Sequence, residues 1–289
     1  MTMRLRQSVF IEPPLSRLAD ELGCFAKAGL AVETLTITSS AQQREQLLGG
    51  EADIGMTATD NLIVWNAQGA DVRVIAQFES TTLNQLVVRD SFTSVKELRG
   101  AKLGVDALDN GFSVLLRYLL RGHGLGAEDY ELHPVGGVLE RRDALRAGTI
   151  DGTLLGPPLD EFVQHEGFST LIRGEDEVPD FPGQTVVAPA AVLDSASTAL
   201  VRYVSALDAA LRWVAETPDG QVIDLLVRAG CPPVFATTFL RTCPTSLVPP
   251  REGLERLITM RQELGMMPQP AISADDLYDP EPLTKALGT

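Results

Sequence analysis

Over its first 80 or so residues the chain alternates short apolar runs with stretches of helical spacing, and this alternation constrains the fold more than any other feature. Leu5 to Ile11 reads as a strand. Pro13-Pro14 suits a turn running into the first turn of a helix, where a missing N–H costs nothing. Leu15, Leu18, Ala19, Leu22 and Phe25 follow at helical spacing, and Gly29 ends that helix. Leu30 to Thr38 is a second strand, Ser39-Ser40 opens a helix through Leu48, and Ala52 to Met56 is a third strand. Thr57, Thr59 and Asp60 are N-cap types ahead of the helical Leu62 to Ala67, and Val72 to Phe78 is a fourth strand. A βαβαβαβ order predicts a parallel sheet with helices on its faces.

The pattern then restarts. Leu83 to Val88 is extended, Ser94 to Leu98 is a short capped helix, and strands are expected at Lys102 to Val105, Tyr130 to Val135 and Ile150 to Leu155 with helices between them. Glu175 to Gly183 is acidic and proline-rich, as a surface loop would be, and Thr185 to Ala190 reads as a return strand. From about residue 194 the chain is mostly helical, with Leu200, Val204, Leu207, Leu211 and Val214 marking a long amphipathic helix. These late helices have no sheet of their own and are expected to pack on the first unit. The expected organisation is two α/β lobes, residues 1–86 plus 188–289 and residues 87–187. The chain crosses between them near 83–89 and 183–190. Two crossings make a hinge, and a hinge between two lobes makes a cleft that closes.

A chain of 289 residues has room for two domains, and 44% hydrophobic with 22% charged residues is a globular composition. The net charge of −15 and pI near 4.6 repel phosphate backbones and anionic lipid, so neither nucleic acid nor a membrane is expected as a partner. Three cysteines, Cys24, Cys231 and Cys243, exclude a disulfide scaffold at this size; a Cys231–Cys243 bridge stays open beside the favoured reading of buried thiols. His123, His133 and His165 lack metal-ligand spacing, so no metal and no cofactor is expected. Trp65 and Trp213 read as packing residues. The start shows no apolar run of secretory length, which places the chain as written in the cytoplasm; an upstream leader would place it in the periplasm or at the cell surface.

Four blocks carry a resemblance: Leu18 to Glu33 (a helix, an aromatic, then Gly-Leu-Ala-Val-Glu), Gln46 to Gly55, Ser94 to Asp106, and Leu145 to Pro158. In this order they resemble the taurine, alkanesulfonate, nitrate and thiamine-pyrimidine binding proteins over roughly residues 8–190. The resemblance implies a type II periplasmic-binding-protein fold, a monomer, and a small organic ligand, anionic or aromatic and heterocyclic, held between the lobes for delivery to an ABC transporter permease. Some relatives are enzymes, among them a pyrimidine synthase and an aryl-sulfinate desulfinase. This chain has no cysteine-rich motif like the synthase's, and Glu12 stands where the desulfinase's cysteine nucleophile falls. A binding protein is therefore expected, with a cytoplasmic enzyme on the same fold as the alternative and with no residue assigned to catalysis.

Ligands of open α/β sheets bind beyond the carboxyl ends of the strands, where helix N-termini offer free N–H groups. The candidates in the first lobe are Glu12 and Pro13, Ser39 and Ser40, Thr57, Thr59 and Asp60, and Phe78, which ends the fourth strand beside Glu79. In the second they are Asp106, the turn-rich Asp109-Asn110-Gly111-Phe112-Ser113, Gly136-Gly137, and Gly156-Pro157. Arg141-Arg142 reads as a solvated helix face, with a bidentate grip on an anion as the other possibility.

Overall fold

The computed structural model describes residues 2–288. The chain begins β1 (Met3–Val9), α1 (Pro14–Glu21), α2 (Cys24–Lys27), β2 (Leu30–Thr36), α3 (Ser40–Leu48), β3 (Ile54–Thr57), α4 (Asn61–Ala67) and β4 (Val72–Gln77). It continues β5 (Gln85–Val88), β6 (Lys102–Val105), α5 (Gly111–Gly122), β7 (Glu131–Pro134), α6 (Val138–Arg146), β8 (Gly152–Leu155), α7 (Leu159–His165), β9 (Ser169–Arg173) and α8 (Gly174–Glu177). The last part is β10 (Thr185–Pro189), α9 (Ala190–Ser195), α10 (Ser197–Glu216), α11 (Asp219–Arg228), α12 (Pro233–Thr242), α13 (Arg251–Glu263) and α14 (Glu281–Leu287).

Two five-stranded sheets result, ordered β2-β1-β3-β10-β4 and β7-β6-β8-β5-β9. The periodicity leads one to expect a purely parallel first sheet; in fact it is mixed. The returning β10 slides between β3 and β4 and runs antiparallel to both, Val186 facing Met56 on one side and Ala76 on the other. The second sheet repeats the arrangement, with β5, the strand that enters it, antiparallel to β8 and β9. Each connecting strand thus becomes an interior strand of the sheet it enters. Its apolar residues are buried on both faces, which is why Leu86, Val87, Val88 and Val186, Val187, Ala188 read as continuous apolar runs.

The two connecting segments are tied to each other. The backbones pair at Thr81 and Pro182, Phe78 N donates to the Gln184 carbonyl at 3.3 Å, and the Thr81 hydroxyl donates to the Phe181 carbonyl at 3.0 Å. Gly183 is required here, because a Cβ on it would lie 2.0 Å from the Glu79 carbonyl oxygen.

Helices α10 to α12 pack on the first sheet, with Leu200, Tyr203 and Leu207 in one buried cluster with Leu5, Ile75 and Val186, and Tyr203 stacked on Phe25 at 5.2 Å. Helix α13 departs from the expectation that all the late helices pack there. Its Leu257 and Met260 share a buried cluster with Leu62 and Ile63 of α4 and with Val114 and Leu115 of α5. Beyond it the chain returns to the first sheet, where Val74 N donates to the Leu277 carbonyl at 2.7 Å. Helix α13 is therefore a strap that touches both halves. All three cysteines are free thiols.

Candidate functional site

A cavity of about 210 Å³ lies between the sheets, walled by the loops at the carboxyl ends of β1, β3, β4, β6 and β8. Contacts across its mouth hold the halves together. The Ser40 hydroxyl donates to Asp106 Oδ2 at 2.5 Å, Gly137 N donates to the Thr38 carbonyl at 3.1 Å, and Gly111 N reaches Asn61 Oδ1 at 3.4 Å. Gly137 lets the two backbones meet: a Cβ there would stand 2.9 Å from Phe10 and 3.0 Å from the Thr38 carbonyl oxygen.

Of the residues singled out from the sequence, the structure brings Glu12, Pro13, Thr57, Phe78, Asp106, Asn110, Phe112, Gly137, Gly156 and Pro157 to the cavity wall. The remaining eight lie off it, most with other work. Ser39 caps α3 by accepting from Gln42 N at 3.2 Å, and Ser40 is spent on Asp106. Thr59 pairs with the Thr185 hydroxyl at 2.9 Å in the interior. Asp60 is buried against Arg261 of α13, whose Nε lies 2.9 Å from both carboxylate oxygens, and the same guanidinium donates to the Asp109 carbonyl at 2.7 Å. Gly111 packs against Asp60. The Ser113 hydroxyl donates to the Leu108 carbonyl at 2.9 Å, and Gly136 stands just outside the lining.

Helix α12 supplies residues that sequence reasoning left in the packing. Phe235, Thr238, Phe239 and Thr242 present one helix face to the cavity, and their three- and four-residue spacing was the available signal. Phe10, Phe78 and Phe112 add rings from both halves. Large flat apolar surface of this kind suits a ring or chain of carbon.

The other addition is Arg141, which is not on a solvated face. It is 4% exposed, and its Nη1 donates to the Leu154 carbonyl at 2.7 Å and to the Thr153 hydroxyl at 3.2 Å. Its Nε is buried with no acceptor, and it makes no ion pair among the described residues. Burial pulls the guanidinium down to about 10, opposed by the charges of Asp106 and Glu140, so it carries its proton at neutral pH. It sits in α6, whose N-cap Gly137 supplies no side-chain cap and, with Val138, lines the same cavity. An uncapped helix start beside a buried guanidinium is an arrangement for negative charge. Arg142, its neighbour, turns outward to Asp143.

Three carboxylates also reach the wall. Glu12 is paired with Arg17 at 2.5 Å. Asp106 accepts from Ser40 and from Asn110 Nδ2 at 2.9 Å. Glu79, partly buried, is pushed up to about 7 by desolvation, and only the Gln184 amides, both at 3.4 Å, oppose that. At the same turn of chain Asn84 has a buried Nδ2 with no acceptor. Because Glu79 holds its proton more tightly folded than unfolded, stability should fall as pH rises from about 4.5 to about 7 and stay level above. Glu79→Gln should flatten that decline, as read by urea unfolding across the interval. An equal slope in both proteins would show that Glu79 does not cause it.

Two mixed sheets of the same strand order, bridged by paired connecting strands and shut over a cavity, define a type II binding-protein fold. The family model described as NMT1/THI5 like matches residues 17–221, more than half of the chain, and the protein belongs to that family. Curated relatives from Brucella abortus and Brucella suis, named as binding proteins, are 25% identical over 118 residues, a match that covers 41% of this chain and only 36% of their length. Among solved structures, the ligand-binding component of an ABC-type import system from Staphylococcus aureus, with zinc bound, superposes with a TM-score of 0.80 at 15% identity over 99% of each chain. The alkanesulfonate-binding protein SsuA of Xanthomonas axonopodis pv. citri, bound to MOPS, gives 0.77 at 17% identity over 95% of this chain and 98% of that one. The desulfurization enzyme DSZB gives 0.69 at 17% identity over 99% of each. The same fold therefore serves binders and an enzyme, and the site must distinguish them.

Proposed function

We propose that this protein is a solute-binding protein that closes its two halves around a small organic acid and presents it to an ABC importer. The observation that carries this reading is Arg141, a buried guanidinium with no ion-pair partner among the described residues, on the lining of a largely apolar cavity at the carboxyl ends of the strands. A buried cation without a counter-ion is costly, and an acid group entering the cavity removes that cost. The expected enzymatic alternative finds less support. Neither Cys nor His lines the cavity, so it offers no thiolate nucleophile and no imidazole base. Among the described residues no His, Cys, Asp and Glu group could hold a metal, and no helix is long and apolar enough to cross a membrane. Delivery to an importer rests on what the family resemblance implies.

Thermal unfolding in the presence of a panel of carboxylates and sulfonates tests the reading. A compound at 100 times its dissociation constant adds about 2.7 kcal/mol, which raises the midpoint by about 4 °C for a chain of this length. An acid that stabilises the protein and is recovered intact is the expected result. Conversion of the bound acid to a product would favour the enzyme, and a panel with no stabilising acid would sink the binding reading.

A further inference from the structure

The cavity wall holds more than an anion subsite: it also carries an acceptor that a simple anion leaves unanswered. Two donors have no partner, Arg141 Nε and Asn84 Nδ2, each on a side chain at least nine-tenths buried and each belonging to a residue that lines the cavity. One acceptor is nearly unfilled: Glu79 receives only the two long bonds from Gln184, both at Oε2. The three groups come from different places. Arg141 stands on α6, anchored to β8, while Glu79 and Asn84 bracket the segment that connects the two sheets. The carboxylates of Glu12, Glu79 and Asp106 line the wall, against one lining guanidinium, and of the three only Glu12 has an arginine partner within ion-pair distance. A bare anion would satisfy Arg141 but would leave the Glu79 acceptor unanswered and stand on the same wall as Asp106, which has no arginine partner. A bare cation would find Glu79 and leave Arg141 unpaired. A molecule carrying both signs answers both groups at once.

Resting on the solute-binding reading, we infer that the ligand is amphoteric: an acid whose anionic oxygens lie on Arg141 and whose nitrogen donates a hydrogen bond to Glu79. The rings of Phe235, Phe239 and Phe78 cover the carbon body between the two ends. A cavity of about 210 Å³ sets the scale at a single ring or a short chain. Asn84 has the amide donor suited to a remaining oxygen of the same molecule.

The test is titration calorimetry on the full chain with a matched set: 4-(aminomethyl)benzoate, 4-methylbenzoate and benzylamine, with the two acids repeated as sulfonates. The two-ended compounds are expected to bind about tenfold or more tightly than the acids lacking nitrogen, the margin of one charge-assisted hydrogen bond. At pH 8, in Glu79→Gln that margin should shrink to about threefold or less while the methyl acids keep or gain affinity, because the amide replaces a carboxylate at constant shape. In Arg141→Lys, which keeps the charge, the acids should retain weakened binding, and in Arg141→Met they should lose it. Methyl acids that bind as tightly as their amino counterparts, or a margin unchanged in Glu79→Gln, would overturn the amphoteric assignment and leave the solute-binding reading standing. Benzylamine binding tighter than every acid would overturn it too. No binding by any of the compounds would overturn the assignment and remove the support for the binding reading with it.

Discussion

Arg261→Met should destabilise the protein by about 3–5 kcal/mol, the usual cost of breaking a fully buried ion pair from one side. Arg261 and Asp60 are each 1% exposed. The guanidinium also donates to the carbonyls of Asp109, at 2.7 Å, and Met266, at 3.3 Å. Its removal therefore leaves a buried carboxylate unanswered and takes a donor from two part-buried carbonyls. The pairing joins α4 of the first half to the loop ahead of α5 in the second, so the same change should loosen the halves from each other. Urea unfolding measures the loss, and an unchanged denaturant slope would show that the transition stays cooperative. Asp60→Leu combined with Arg261→Met should recover much of the loss, since an apolar pair removes the desolvation cost along with the attraction. A single variant as stable as the parent would mean that water already reaches the pair.

Arg141→Met has the opposite profile. Binding of an acid should weaken by about 2–5 kcal/mol, roughly thirtyfold to several thousandfold, because the anion would then enter an apolar wall without its counter-charge. The unliganded protein should be as stable as the parent or more so, because an unfilled buried donor has been removed. Affinity lost without stability lost identifies a residue held for its ligand and not for the fold. If instead Arg141→Met unfolds the protein, its bonds to Leu154 and Thr153 matter more than its unfilled side, and its assignment as the anion site falls.

These two arginines show where sequence reasoning reached its limit. The strands and helices of the first 80 residues were legible because each carries its own periodicity. The fold class followed from their order and from the four family-like blocks. Pairing partners are not local, however. Nothing in Thr185 to Pro189 indicates that it enters between β3 and β4, and the short edge strand β9 went unread, because Ser169 to Arg173 is only partly buried and only mildly apolar. Thr57-Ala58-Thr59-Asp60 has the composition of a ligand loop, yet Asp60 meets its partner 201 residues later, a distance no motif bridges. Arg141 and Arg142 are adjacent and chemically identical; only the phase of α6 turns one inward and the other to solvent. The face of α12 was readable in its spacing, but a row of Phe and Thr is also what a packed helix looks like.

The strap formed by α13 has a consequence for kinetics. Because it grips both halves independently of any solute, it contributes free energy to the shut form of the empty protein. A molecule that rests shut escapes the affinity tax of a rarely populated competent state, but solute enters and leaves only during brief excursions to the open form. Each further kilocalorie invested in the Asp60–Arg261 clasp then slows capture and release by a similar factor and leaves their ratio untouched. On the solute-binding reading, the clasp, one residue from the cavity-lining Asn61 and Asn110, would set the pace of solute exchange.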